Sequence, residues 1–132
     1  MKLLEIKSTV RYIKPDLDDE YDEVLYRPEL RSYFKDKKSW LKVARTGKET
    51  TLSGSDLNRL VNHDPEFKNL EKVKTERVAS LFSKGTVELP IVLKDDKFLH
   101  LLAGNTRLAY AREHKYPLKV WMINAPDLES YF

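Results

Sequence analysis

Four consecutive residues, Gly104-Asn105-Thr106-Arg107, combine the parts of an anion-binding loop. Glycine opens backbone conformations that a side chain forbids. Asn105 or Thr106 offers a side-chain oxygen to cap a following helix. The first turn of such a helix leaves N–H groups unpaired and carries the positive end of the helix dipole, a combination that attracts phosphate. Arg107 adds a planar, forked donor able to hold phosphate or carboxylate through two hydrogen bonds. The same junction also occurs as a bare helix cap in α/β proteins, and its spacing alone carries no catalysis.

The flanking residues supply the elements that must position this loop. Phe98-Leu99-His100-Leu101-Leu102-Ala103 reads as a buried strand, and Leu108, Ala109, Ala111 and Arg112 as the start of a helix. Leu89–Leu93 gives a second strand, turned at Lys94-Asp95-Asp96-Lys97, where aspartates serve the turn itself. His100 alternates on the strand face opposite Leu99 and Leu101. Ile91–Leu93, Phe98–Leu102 and Leu118–Ile123 are expected in one sheet, with a helix starting within a residue or two of Thr106.

Taken together, Leu89-Pro90-Ile91-Val92-Leu93, the turn, Phe98–Leu102, Gly104-Asn105-Thr106-Arg107-Leu108-Ala109 and Pro117–Ile123 resemble the core of the ParB/sulfiredoxin superfamily. Thr75–Gly85 resembles that family's helix before the first strand, and the likeness runs from about Val73 to Ile123. It implies an α/β (α+β) fold, a small mixed sheet flanked by helices. It also implies that Gly104, Asn105, Thr106 and Arg107 form the nucleotide-phosphate loop. The chain has no cysteine, so sulfinic-acid repair by a loop thiol, as in sulfiredoxins, is ruled out. The loop also lacks the glutamate and second arginine of ParB proteins, and no upstream arginine box is evident, which argues against CTP switching of the ParB type. Were the loop part of a phosphoryl-transfer site, Arg107 would contact the reacting phosphate. The family topology then puts Glu71 and Glu76 as the carboxylates that support a Mg²⁺ ion or a water.

The first half of the chain is organised differently. Leu4, Ile6, Val10 and Tyr12 share one parity, so Lys2–Ile13 reads as an amphipathic strand and a candidate for the same sheet. Leu17, Tyr21, Val24 and Leu25 share a helical face, with Pro28 ending that helix. A helix is expected from Arg31 to about Ala44. Gly47 and Gly54 bracket a turn, Ser55-Asp56 cap a helix through Val61, and Asn62–Pro65 close it. The expected division is an N-terminal extension over 1–65, mixed in structure, and a core over 66–132.

Charge is unevenly placed. Asp16, Asp18, Asp19, Glu20, Asp22 and Glu23 form an acidic block, explained by the dipole of a helix following Pro15. Arg31, Lys35, Lys37, Lys38, Lys42, Arg45 and Lys48 oppose Asp36 alone, with Tyr33, Phe34 and Trp40 among them. Bases interleaved with aromatics suit a nucleic-acid strand, through phosphate neutralisation and base stacking. A solvated face whose aromatics point into the core has the same pattern.

Composition bounds the rest. The 132 residues suffice for one core. No apolar run reaches the ~20 residues that span a bilayer, and Met1-Lys2-Leu3-Leu4-Glu5 is unlike a signal peptide. Without cysteine there are no disulfides or thiolate metal sites, which fits a cytoplasmic protein. His63, His100 and His114 show no metal-ligand spacing. A net charge of +3 does not by itself imply nucleic acid. Two function classes remain. One is a nucleotide-dependent enzyme, whose cofactor would be a nucleoside triphosphate with Mg²⁺. The other is a non-catalytic DNA- or RNA-binding module that uses Arg31–Lys48 as a second contact.

Overall fold

Ile91–Lys94 (β5) and Leu99–Ala103 (β6) form the antiparallel hairpin that carries the loop, and nearly every side chain in them is buried. Uninterrupted apolar strands of this kind need cover on both faces, and both faces are covered. The computed structural model describes residues 10–62 and 72–132. Among these, a five-stranded mixed sheet runs in the order β2-β7-β5-β6-β3, where β2 is Lys48–Thr51, β3 Leu60–Asn62 and β7 Lys119–Asn124. β7 is parallel to β5 and antiparallel to β2, and β3 lies parallel to β6 at the far edge. With helices on both faces, the chain is an α+β fold.

One face carries a core of Leu17, Val24, Leu30, Phe34, Trp40 and Ala44 against Ile91, Leu93, Leu102 and Ile123. It is covered by three short helices, Tyr21–Leu25 (α1), Pro28–Tyr33 (α2) and Lys37–Ala44 (α3), and by a 3-10 turn over Leu128–Tyr131. The other face packs Leu52, Val92, Leu99, Leu101, Leu108 and Val120 with Leu57 and Leu60, beneath Gly54–Arg59 (α4) and Asn105–Glu113 (α6). Each fully buried side chain of this size contributes about 1.5–3 kcal/mol. Since β2, β3 and α1–α3 complete these cores, the first half is built into the same unit as the second. The expected boundary between an extension and a core is absent from the packing, and Pro65 itself lies outside the described residues.

Several expectations for the first half are corrected. Within Lys2–Ile13 the described strand is Arg11–Ile13 (β1), and it joins a separate two-stranded parallel sheet with Thr86–Glu88 (β4). Tyr12 explains this: its ring meets Phe82 edge-on and its hydroxyl donates to the Pro117 carbonyl at 2.6 Å. The helix expected over Arg31–Ala44 is two helices. Pro28 opens the first rather than only ending α1, at the position where its missing N–H costs nothing. The Asp36 carboxylate restarts the second by accepting from Ser39 N–H at 2.7 Å.

The expected turn between Gly47 and Gly54 contains β2. A Cβ at Gly47 would overlap the Trp121 indole, whose Nε1 donates to the Ala44 carbonyl at 2.9 Å, so glycine serves packing there. The cap of α4 is Ser53, not Ser55. Ser53 Oγ accepts from Asp56 N–H and the Asp56 carboxylate accepts from Ser53 N–H, a reciprocal pair. That helix stops at Arg59, because Leu60 and Val61 pair with β6.

Candidate functional site

The strand-to-helix junction forms as expected, with one change. Gly104 sits at the cap position in the left-handed region, φ +87°, and α6 begins at Asn105, so neither Asn105 nor Thr106 is the capping residue. Leu108 N–H bonds to the Gly104 carbonyl. The N–H groups of Asn105, Thr106 and Arg107 precede the first bond of the helix and have no acceptor within it. A Cβ at Gly104 would lie 2.8 Å from Pro90 Cα, so the glycine is required by both conformation and space.

Arg107 turns inward. Its Nη1 donates to the Glu88 carbonyl at 3.0 Å, and Glu20 and Glu88 are the carboxylates acting on it. Burial pulls the guanidinium pKa below its ordinary value, while those two acids push it back up. Burial raises Glu20 in turn, with Arg107 opposing. Glu88 also accepts from Asp16 N–H at 2.9 Å, which ties the acidic segment to β4. Arg107 therefore fastens the start of α6 to the end of β4, with one of its five guanidinium donors engaged there.

Other cations face the open end of α6. Arg27, Lys74 and Asn105, with Glu23, line a polar hollow of about 140 Å³ over Leu101–Ala103. Arg27 Nη2 donates to the Leu102 carbonyl at 3.3 Å, one of the five donors of a guanidinium. Lys74 comes from Lys72–Lys84 (α5). The hollow adjoins a wider one of about 430 Å³, and Glu23, Arg27, Leu101 and Leu102 line both. The result is a trough along β6, walled on its other side by α1, α2 and the C-terminal residues.

At the floor of the wide end lies a polar pair. His100 and Asp95 are both buried and hydrogen-bonded through Nε2 and Oδ2. Asp95 Oδ1 also accepts from Lys97 N–H at 2.8 Å and Phe98 N–H at 2.7 Å, the turn role expected of it. Burial pushes the Asp95 carboxyl up, but the donors from Phe98, His100 and Lys97 outweigh it and hold the pKa below the ordinary carboxylate value.

The remaining predicted residues scatter. Thr106 Oγ1 faces the Asn105 carboxamide at 3.4 Å. Glu76 is exposed on α5 and does not line the trough, and Glu71 lies outside the described residues, as does His63. Among the described residues no group of three His, Cys, Asp or Glu converges as a metal-ligand set. Arg31 on α2, Lys37, Lys38 and Lys42 on α3, and Lys35 and Arg45 flanking α3 are all exposed. Lys37 pairs with Asp18 at 2.9 Å, a solvent-exposed pair of small energetic weight.

The aromatics of that segment belong to the core. Trp40 is 0% exposed, its Nε1 donating to the Leu17 carbonyl at 2.7 Å, so it cannot stack on a base. Phe34 packs edge-on to it, and Tyr33 packs against Phe34 and Tyr131. Sequence reasoning missed Arg27 and Lys74 as partners of the loop. Arg27 and Lys74 stand 78 and 31 residues before Asn105 in no periodic relation, and only the fold brings them together.

No helix among the described residues is long and apolar enough to cross a membrane. Compared with protein-family models, curated proteins and solved structures, the chain matches none.

Proposed function

We propose that this chain binds a phosphate-bearing ligand, a nucleotide or a nucleic-acid phosphate, at the N-terminus of α6. The observation that carries the reading is the polar hollow in which Arg27 and Lys74 face the first turn of that helix beside Asn105. Three sources of positive potential meet there, the two full charges and the helix dipole, against the single carboxylate of Glu23. The resemblance to the ParB/sulfiredoxin superfamily, which rests in part on the same loop, points the same way. The order α5, β5, β6, loop, α6, β7 is the order that likeness implies, with β4 inserted before β5.

In this reading the work of Arg107 is to hold the loop, and Arg27 and Lys74 supply the ligand-facing charge. The exposed cations of α2 and α3 favour a second reading, a non-catalytic DNA- or RNA-binding surface, in which the backbone is neutralised without stacking. Titration calorimetry with inorganic phosphate and ADP, with and without Mg²⁺, tests the first reading. Binding that weakens about tenfold or more in Lys74→Ala supports it, at the scale of a hydrogen bond to a charged group. Undiminished binding in that variant overturns it.

A further inference from the structure

Resting on the phosphate reading above, we propose that the wide end of the trough is a nucleobase subsite, so that the ligand is a nucleoside phosphate lying along β6. The trough changes character along its length. The narrow end is polar and phosphate-sized, whereas the wide end, at about 430 Å³, falls within the range of small-ligand cavities. Two rings border the wide end and remain open to solvent, Tyr26 at 82% and Phe132 at 49% exposure. Exposed apolar surface gathered around a cavity marks a place where an apolar ligand face is covered.

Phe132 is backed by a built platform. Its ring lies parallel to the His100 ring, with centroids 5.1 Å apart and planes 10° apart. His100 is in turn fixed by Asp95, and Asp95 by the backbone of the β5–β6 turn. A ring held in place from behind offers a planar heterocycle a stacking surface at little ordering cost. Sequence-tolerant stacking of this kind contributes roughly five- to 150-fold in affinity per base.

Polar groups divide the ligand in the same sense. The cations and the helix N-terminus claim the phosphate at the narrow end. Glu29 lines only the wide end, and an ionised carboxylate accepts hydrogen bonds without donating. It favours a base bearing an exocyclic amino group, as in adenine or cytosine, over uracil, which turns carbonyls to either side of its single donor. Glu23, at the waist beside Arg27, is placed to accept from a ribose hydroxyl.

Calorimetry on the full chain with ribose 5-phosphate, AMP and UMP tests this. The expected result is AMP binding about tenfold tighter than ribose 5-phosphate, the lower range of base stacking. Tyr26→Ala, a change at an exposed side chain, brings AMP down to the ribose 5-phosphate level and leaves ribose 5-phosphate unchanged. Phe132→Leu acts in the same direction, and Glu29→Gln narrows the preference for AMP over UMP. Equal affinities for AMP and ribose 5-phosphate in the unaltered chain overturn the base subsite alone. Failure of every phosphate to bind overturns the phosphate reading and this inference with it. UMP binding as tightly as AMP overturns the selection assigned to Glu29.

Discussion

Arg107 Nη1 donates to the backbone carbonyl of Glu88 at 3.0 Å, which ties the first turn of α6 to the strand that precedes the hairpin. Its Nη2 lies 2.9 Å from where a Cβ on Gly104 would stand. The arginine thus folds back across its own loop. Residue type and spacing mark it as a ligand for phosphate, and its bond to Glu88 also makes it a clasp on the loop.

Replacing Arg107 with Ala is expected to cost about 1.5–3 kcal/mol of stability, the scale of a hydrogen bond to a charged group. It also leaves the half-buried Glu20 without its counter-charge. Urea unfolding should show a lower midpoint at unchanged slope. Unchanged stability with lost phosphate affinity would return Arg107 to the role of direct ligand.

Gly104→Ala is expected to destabilise by more than the roughly 1–2 kcal/mol that a left-handed backbone costs an L-residue. Its methyl would also press on the Pro90 backbone, which cannot rotate aside. Thermal denaturation reads this directly, and a variant as stable as the parent chain would contradict the geometry of the loop.

Asp95 is held below the ordinary carboxylate value in the folded chain, so its contribution to stability is fully present above about pH 4, the unfolded value. That contribution is lost as pH falls through the lower folded value. Asp36 and Asp56, lowered by their capping bonds, act in the same direction, and Glu20, raised by burial, acts against them. Asp95→Asn should reduce stability at neutral pH and flatten, without abolishing, the acid limb of the stability curve. Denaturation midpoints between pH 2 and 7 would be measured, and an acid limb identical to the parent's counts against the assignment.

The hairpin and its loop were legible because each carries a strong local signal. Alternation and continuous apolar runs mark β5, β6 and β7, and a glycine between strand and helix marks the junction. The first half was less legible because tertiary pairing overrides local pattern there. Lys48–Thr51 has the composition of a loop but completes the sheet beside β7, and Leu60-Val61 continues a helical pattern yet pairs with β6. Aromatics among lysines, as at Trp40, read equally as core or as surface until burial decides. The trough was illegible because Arg27, Lys74 and Asn105 meet only after the start of α2, α5 and the start of α6 assemble.

Trp40→Phe separates the core role from a stacking role. It removes the donor to the Leu17 carbonyl and leaves that acceptor unsatisfied in the interior, at about 1–3 kcal/mol. Lys35→Gln, Lys38→Gln and Lys42→Gln together are expected to leave nucleotide affinity unchanged, because none of these residues lines the trough. Oligonucleotide binding whose salt slope drops by about 0.7–0.9 per lost contact in the lysine variant would favour the second reading.

The central claim is that phosphate meets the chain at the first turn of α6. Amide ¹⁵N–¹H spectra recorded during titration with AMP, and separately with inorganic phosphate, test it most directly. The largest shifts are expected on the amides of Asn105, Thr106 and Arg107, with the Arg27 side chain moving alongside. Shifts confined to Lys37–Arg45, with these amides unmoved at saturation, would contradict it.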